Sequence, residues 1–95
     1  MKPEIRPGLA AISRAGRDKG RPYVVLCEVD ADFVTVCDGA NRTMDRPKKK
    51  RRRHLLPVGR EMPDFLDRLQ ARSLRDEEIR GFLKPLTRNR PTDPA

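Results

Sequence analysis

Residues 23–37 read YVVLCEVDADFVTVC, two runs rich in β-branched and aromatic residues on either side of Asp30-Ala31-Asp32. Val, Tyr, Phe and Thr suit a pleated, half-buried backbone, and a short acidic turn between two such runs predicts an antiparallel hairpin. Asp38-Gly39 is the next turn signal. Working outward, Gly8 to Ser13 (GLAAIS) has strand length, and Arg14 to Arg21 (RAGRDKGR) is a glycine-punctuated loop. Asn41 to Met44 allows a further short strand, and His54 to Val58 (HLLPV) predicts a closing one before Gly59. Five short strands within about 55 residues, with no helical period among them, predict a mainly β fold, a small antiparallel barrel. Closure protects edges that so short a chain could not otherwise cover.

The pattern changes after Gly59. Pro63 to Ala71 (PDFLDRLQA) sets Phe65, Leu66 and Leu69 on one helical face, and Ile79, Phe82 and Leu83 follow at i, i+3 and i+4. Ser73 to Asp76 resembles a capping box with Asp in the place of Glu or Gln. Asp76, Glu77 and Glu78 then fall at a helix start, where carboxylates complement the dipole rather than form a catalytic cluster. Each helix is too short to stand alone in water and must pack on the barrel or on a partner. The expected division is a barrel at 1–59 that includes a basic arm at 46–54, a short helical C-terminal extension at 60–86, and a disordered tail at 87–95.

The formal charge of the 95 residues is +8, and it is concentrated. Residues 1–41 hold six basic and six acidic side chains, residues 54–95 hold eight and seven, and residues 42–53 hold eight and one. Within that last segment lies RPKKKRRR, Arg46 to Arg53. Six adjacent cations repel one another unless solvent or a polyanion neutralises them, so a patch in an otherwise balanced chain points to a polyanionic partner. A nuclear-localisation signal and a merely solvated loop are the other readings of the run. The loop Arg14–Arg21 adds a second patch: Arg14, Arg17, Lys19 and Arg21, less Asp18, give +3. Gly16 and Gly20 there permit positive φ and close approach of backbone to a ligand. Arginine suits bidentate phosphate contact, and N–H groups in a glycine turn add to it.

Other chemistry finds little footing. No apolar stretch approaches the roughly 20 residues needed to span a bilayer, and charges interrupt the first seventeen positions, so no signal peptide is expected and the expected compartment is the cytoplasm. Cys27 and Cys37 form no CxxC pair, and zinc requires four ligands, so no metal and no cofactor is assigned. His54 is the only histidine, with no triad around it; the expectation is not an enzyme. The two cysteines are expected to pack as small apolar residues. Tyr23 and Phe33 are likewise expected in the core rather than as stacking platforms. A protein short of aromatics but rich in cations should read backbone and shape, with weak sequence preference.

The stretch PGLAAISRAGRDKGRPYVVLCEVDADFVTVCDG, 7–39, resembles a KOW motif: an apolar strand, a Gly-basic-Asp-Lys-Gly loop, and a longer β-branched strand. Gly16 falls at the family's characteristic glycine, with Lys19 and Gly20 in their expected places. The hairpin, basic segment and HLLPVG that follow are similar to large-subunit ribosomal proteins of the L-fourteen-e type, and most similar to the small bacterial KOW-domain RNA-binding proteins related to them. Residues 60–95 carry no part of the resemblance. It implies an SH3-like five-stranded barrel that binds RNA, commonly ribosomal RNA, as a ribosome-associated factor in translation, and neither catalysis nor a cofactor. The RNA-contacting residues would be Arg14, Gly16, Arg17, Lys19, Gly20 and Arg21 of the loop, with Arg46, Lys48, Lys49, Lys50, Arg51, Arg52, Arg53 and His54 of the arm. Two alternatives stand beside this. One is a protein-interaction module using an apolar face of Phe65, Leu69, Ile79 and Phe82, so that the C-terminal helices hold a protein partner. The other is a non-specific DNA binder.

Overall fold

The computed structural model describes residues 5–88. Five strands, β1 (Leu9–Ser13), β2 (Pro22–Glu28), β3 (Phe33–Cys37), β4 (Lys48–Arg51) and β5 (Leu55–Glu61), precede two helices, α1 (Phe65–Gln70) and α2 (Asp76–Arg88). All strand pairings are antiparallel, in the order β4-β3-β2-β1-β5. Among the described residues no helix is long and apolar enough to cross a membrane. Of the expected tail, Thr87 and Arg88 belong to α2, and 89–95 lie outside the described residues.

The β2–β3 hairpin forms where the sequence puts it. Asp30 Oδ1 accepts hydrogen bonds from the backbone N–H groups of Asp32 (2.8 Å) and Phe33 (2.9 Å), so the acidic turn is closed by its own side chain. From Pro22 to Leu26 every residue of β2 is buried, because both faces of the sheet are covered. On one face Ile5, Leu9, Ala11, Tyr23, Val25, Val34, Val36 and Leu55 pack together. On the other, Ala10, Val24, Leu26 and Cys37 meet Met62, Phe65, Leu74, Ile79 and Leu83 from the C-terminal part. Burial there pushes the Cys37 thiol up to about 12, whereas Cys27, expected to be buried too, is exposed.

Three expectations are corrected. Residues 41–44 form no strand: Asp38 Oδ1 instead accepts from the N–H groups of Ala40 and Arg42, both at 2.9 Å, and folds the segment into a local loop. The sheet is not closed, since β4 and β5 are its two edges and a single 3₁₀ turn, Arg52–His54, carries the chain between them. The basic run, expected as an arm of the barrel, supplies β4, with Phe33 opposite Arg51, Val34 opposite Lys50, Thr35 opposite Lys49 and Val36 opposite Lys48. Lysine is a poor strand former, but on an edge it discourages another chain from pairing, and β3 provides the ladder.

The helices complete the outer core rather than standing apart. Phe65 and Ile79 are buried against the sheet, with Leu69 and Phe82 packed partly beside them. The face imagined for a protein partner is thus largely spent within the chain. The expected capping box is shifted: Ser73 Oγ bonds Arg68, while Glu78 Oε2 accepts from the Arg75 N–H at 3.2 Å. Glu78 also pairs with Arg68 at 2.6 Å, tying α2 back to α1.

Candidate nucleic-acid interface

The loop between β1 and β2 is closed by its own backbone. Gly20 N–H donates to Ser13 O (2.7 Å), Arg21 N–H to Asp18 O (2.9 Å) and Lys19 N–H to Gly16 O (3.2 Å). Gly16 and Gly20 take φ of +87° and +91°, the left-handed backbone for which the sequence supplies glycine. This winding leaves Arg14, Arg17 and Lys19 exposed and turns Asp18 inward, where it is 6% exposed.

Asp18 is the hub of the arrangement. Its Oδ1 accepts from Ser13 Oγ and Lys50 Nζ, both at 2.8 Å; its Oδ2 accepts from Tyr23 Oη at 2.8 Å and Lys48 Nζ at 2.9 Å. One carboxylate therefore ties β1 and β2 to β4 across the inner face of the sheet. Lys50 also donates to Ala15 O at 3.1 Å. Burial alone would push the Asp18 carboxyl up, but the hydrogen bonds from Lys50, Lys48, Ser13 and Tyr23 outweigh it and hold it well below the usual carboxylate range. Its charge is thus permanent at neutral pH. Burial, then the hydrogen bond and charge of Asp18, push the Tyr23 phenol up, so that group stays a donor.

Strand geometry divides the basic run. Successive side chains of β4 point to opposite faces, so Lys48 and Lys50 go inward to Asp18 while Lys49 and Arg51 go outward. Both outward cations lie over the Phe33 ring, at 4.6 Å and 4.8 Å from its centroid. Arg52 is engaged at the far end of the sheet, donating to Ile5 O (2.8 Å), Asp30 O (3.1 Å) and Glu28 Oε1 (2.7 Å). Arg53 is exposed and His54 half-buried. The repulsion within the run is thus partly answered inside the chain, by Asp18 and Glu28.

Of the residues singled out from the sequence, the structure brings Lys48, Lys50 and His54 to the loop and turns Lys49, Arg51 and Arg52 away from it. Arg14 N–H donates to His54 O at 2.8 Å, which sets the loop beside the 3₁₀ turn. The His54 imidazole is pushed toward its neutral form by burial and by the charges of Arg53, Lys50, Arg51 and Arg14, a mark of the local positive field. Arg21 faces a cleft against α2 with Asp38, Glu77, Arg80 and Lys84, a surface of mixed charge. Arg46 is exposed in the turn that its N–H closes on Thr43. Two residues carry more than the sequence suggested. Asp18 counted there only as one charge subtracted, although Ser13 and Tyr23 lie five positions to either side. Phe33, read as core, is half-buried and flanked by cations; the strand alternation of KKKR is the signal that pairs them.

No group of His, Cys, Asp and Glu with metal-binding geometry occurs among the described residues. No protein-family model and no curated protein matches the chain.

Proposed function

We propose that the protein binds structured RNA through its phosphate backbone, as a ribosome-associated factor of the KOW type working in the cytoplasm. Arg14, Arg17 and Lys19 of the loop, Arg53 of the 3₁₀ turn, and Lys49 and Arg51 of β4 make the contacts. In this reading the open five-stranded sheet is an SH3-like barrel left unclosed between its edge strands. The supporting observation is the 2.8 Å contact of Lys50 Nζ with Asp18, which draws the two basic segments of the sequence together. Lys48 and Lys50 then support the site from within, and the exposed cations around them meet the phosphates. Positive charge with few aromatics favours shape over sequence. The KOW resemblance points to ribosomal RNA as the folded target.

Titration with a folded RNA stem–loop at rising salt tests this. Six phosphate contacts should lower affinity roughly a thousandfold between about 50 and about 200 mM salt. At matched salt the stem–loop should bind more tightly than duplex DNA of equal length. Binding indifferent to salt would defeat the reading, and equal affinity for the DNA would favour the non-specific DNA binder instead.

A further inference from the structure

The outer face of the β3–β4 ribbon carries a feature that phosphate contact does not use. Phe33 and Thr35 on β3 share this face with Arg51 and Lys49 opposite them on β4, and Cys27 of β2 stands opposite Thr35. Farther along β3 the same face is covered, with Cys37 buried in the core beneath the helices. At the Phe33 end the cover stops: Cys27, Lys49 and Arg51 are exposed and Phe33 and Thr35 are half-buried. Among the described residues no ion pair takes Lys49 or Arg51, in contrast to their sequence neighbours Lys48, Lys50 and Arg52. The Asp30 carboxylate is occupied closing the β2–β3 turn. An aromatic ring on a sheet, with two unpaired cations resting on it, has the parts that an unpaired nucleotide requires: a π-face for the base and positive charge for its phosphates.

We propose that this face is a stacking site for one unpaired RNA nucleotide. The base lies on Phe33, and Lys49 and Arg51 move off the ring to take the flanking phosphates. The inference rests on the RNA-binding reading and adds a preference to it: folded RNA with an unpaired loop or bulge over a continuous duplex. The stacking is tolerant of base identity, because every base has a π-face.

The test compares an RNA stem–loop with a loopless RNA duplex of the same stem. Wild-type protein should favour the stem–loop, and Phe33→Leu should weaken stem–loop binding about tenfold while leaving the duplex unchanged. Phe33→Tyr, which keeps the ring, should restore the preference. A second measurement leaves the protein intact: replacing the loop nucleotides one at a time by abasic ones should cost about the same tenfold at one position. The proposal is overturned if no abasic position matters, if wild-type protein does not distinguish the two RNAs, or if Phe33→Leu weakens both equally. An Arg14→Ser/Arg17→Ser variant should lose affinity for both RNAs alike, so the stacking site can fail while the phosphate reading survives. If wild-type protein binds neither RNA, both fall together.

Discussion

Asp18→Asn should lower stability by about 3–5 kcal/mol, because it leaves the buried ammonium of Lys50 without its counter-charge. For a domain of this size that corresponds to a fall of roughly 15–30 °C in the thermal midpoint. The loss comes less from the attraction removed than from the charge left behind: Lys50 is only 7% exposed and cannot recover water without opening β4 from the sheet. Removing both partners is gentler. Without Lys50 no buried charge is left unpaired, so Asp18→Asn/Lys50→Met should regain at least half of the loss. The pH dependence has a definite sign. The folded carboxyl is held below its ordinary value of 3.8, so the unfolded chain takes up this proton first. The stabilisation from Asp18 is whole above that value and drains as the pH falls below it. Acid unfolding of Asp18→Asn should lack that component. A variant that melts within a few degrees of wild type, or a double variant no better than the single, would remove Asp18 from the centre of the fold.

Gly39→Ala should be comparably damaging for a different reason. Gly39 has φ of +79°, and a Cβ there would press into the Asp76 carbonyl oxygen and come within 3.0 Å of the Arg80 backbone nitrogen. The neighbours are helix backbone and cannot step aside. They are also fixed to this loop by hydrogen bonds: Arg80 Nη1 donates to Gly39 O at 2.7 Å, and Met44 N–H donates to Asp76 Oδ1 at 2.9 Å. Backbone strain plus overpacking predicts a loss of about 3–5 kcal/mol, with α2 displaced from the outer core. Gly59→Ala is the control. Its φ is +75° but nothing lies within 4 Å of the added carbon, so it should cost only about 1 kcal/mol. Equal losses at the two positions, read by chemical denaturation, would show that helix docking is not what requires Gly39.

The contrast between these residues shows what the sequence could reveal. The β2–β3 hairpin was legible because Tyr23–Leu26 and Phe33–Cys37 are strong strand formers and their turn is closed by a local Asp30 side chain. The positive φ of Gly16 and Gly20 was legible for the same reason: the chemistry is local. The helices were legible as amphipathic segments, but not where their apolar faces go, which depends on the helix-facing surface of the sheet. β4 was hidden. Lys48 to Arg51 has no strand propensity to read, and its pairing is imposed by β3 and by a carboxylate thirty residues earlier in the chain. The sequence therefore located the positive charge but not its division between the two faces of a strand. Phe33 was misplaced on the same account, since its exposure depends on how far the helices reach across the sheet.

Lys49 and Lys50 are neighbours of equal charge that the fold turns to opposite faces, and the salt dependence of RNA binding separates them. With the stem–loop RNA, Lys49→Ser should reduce the slope of log affinity against log salt by roughly 0.7–0.9, one phosphate contact, while Lys50→Met, made together with Asp18→Asn so that no buried charge is left unpaired, should leave the slope unchanged. Equal reductions from the two variants would contradict the division of the basic run on which the account depends, and so would no change from either.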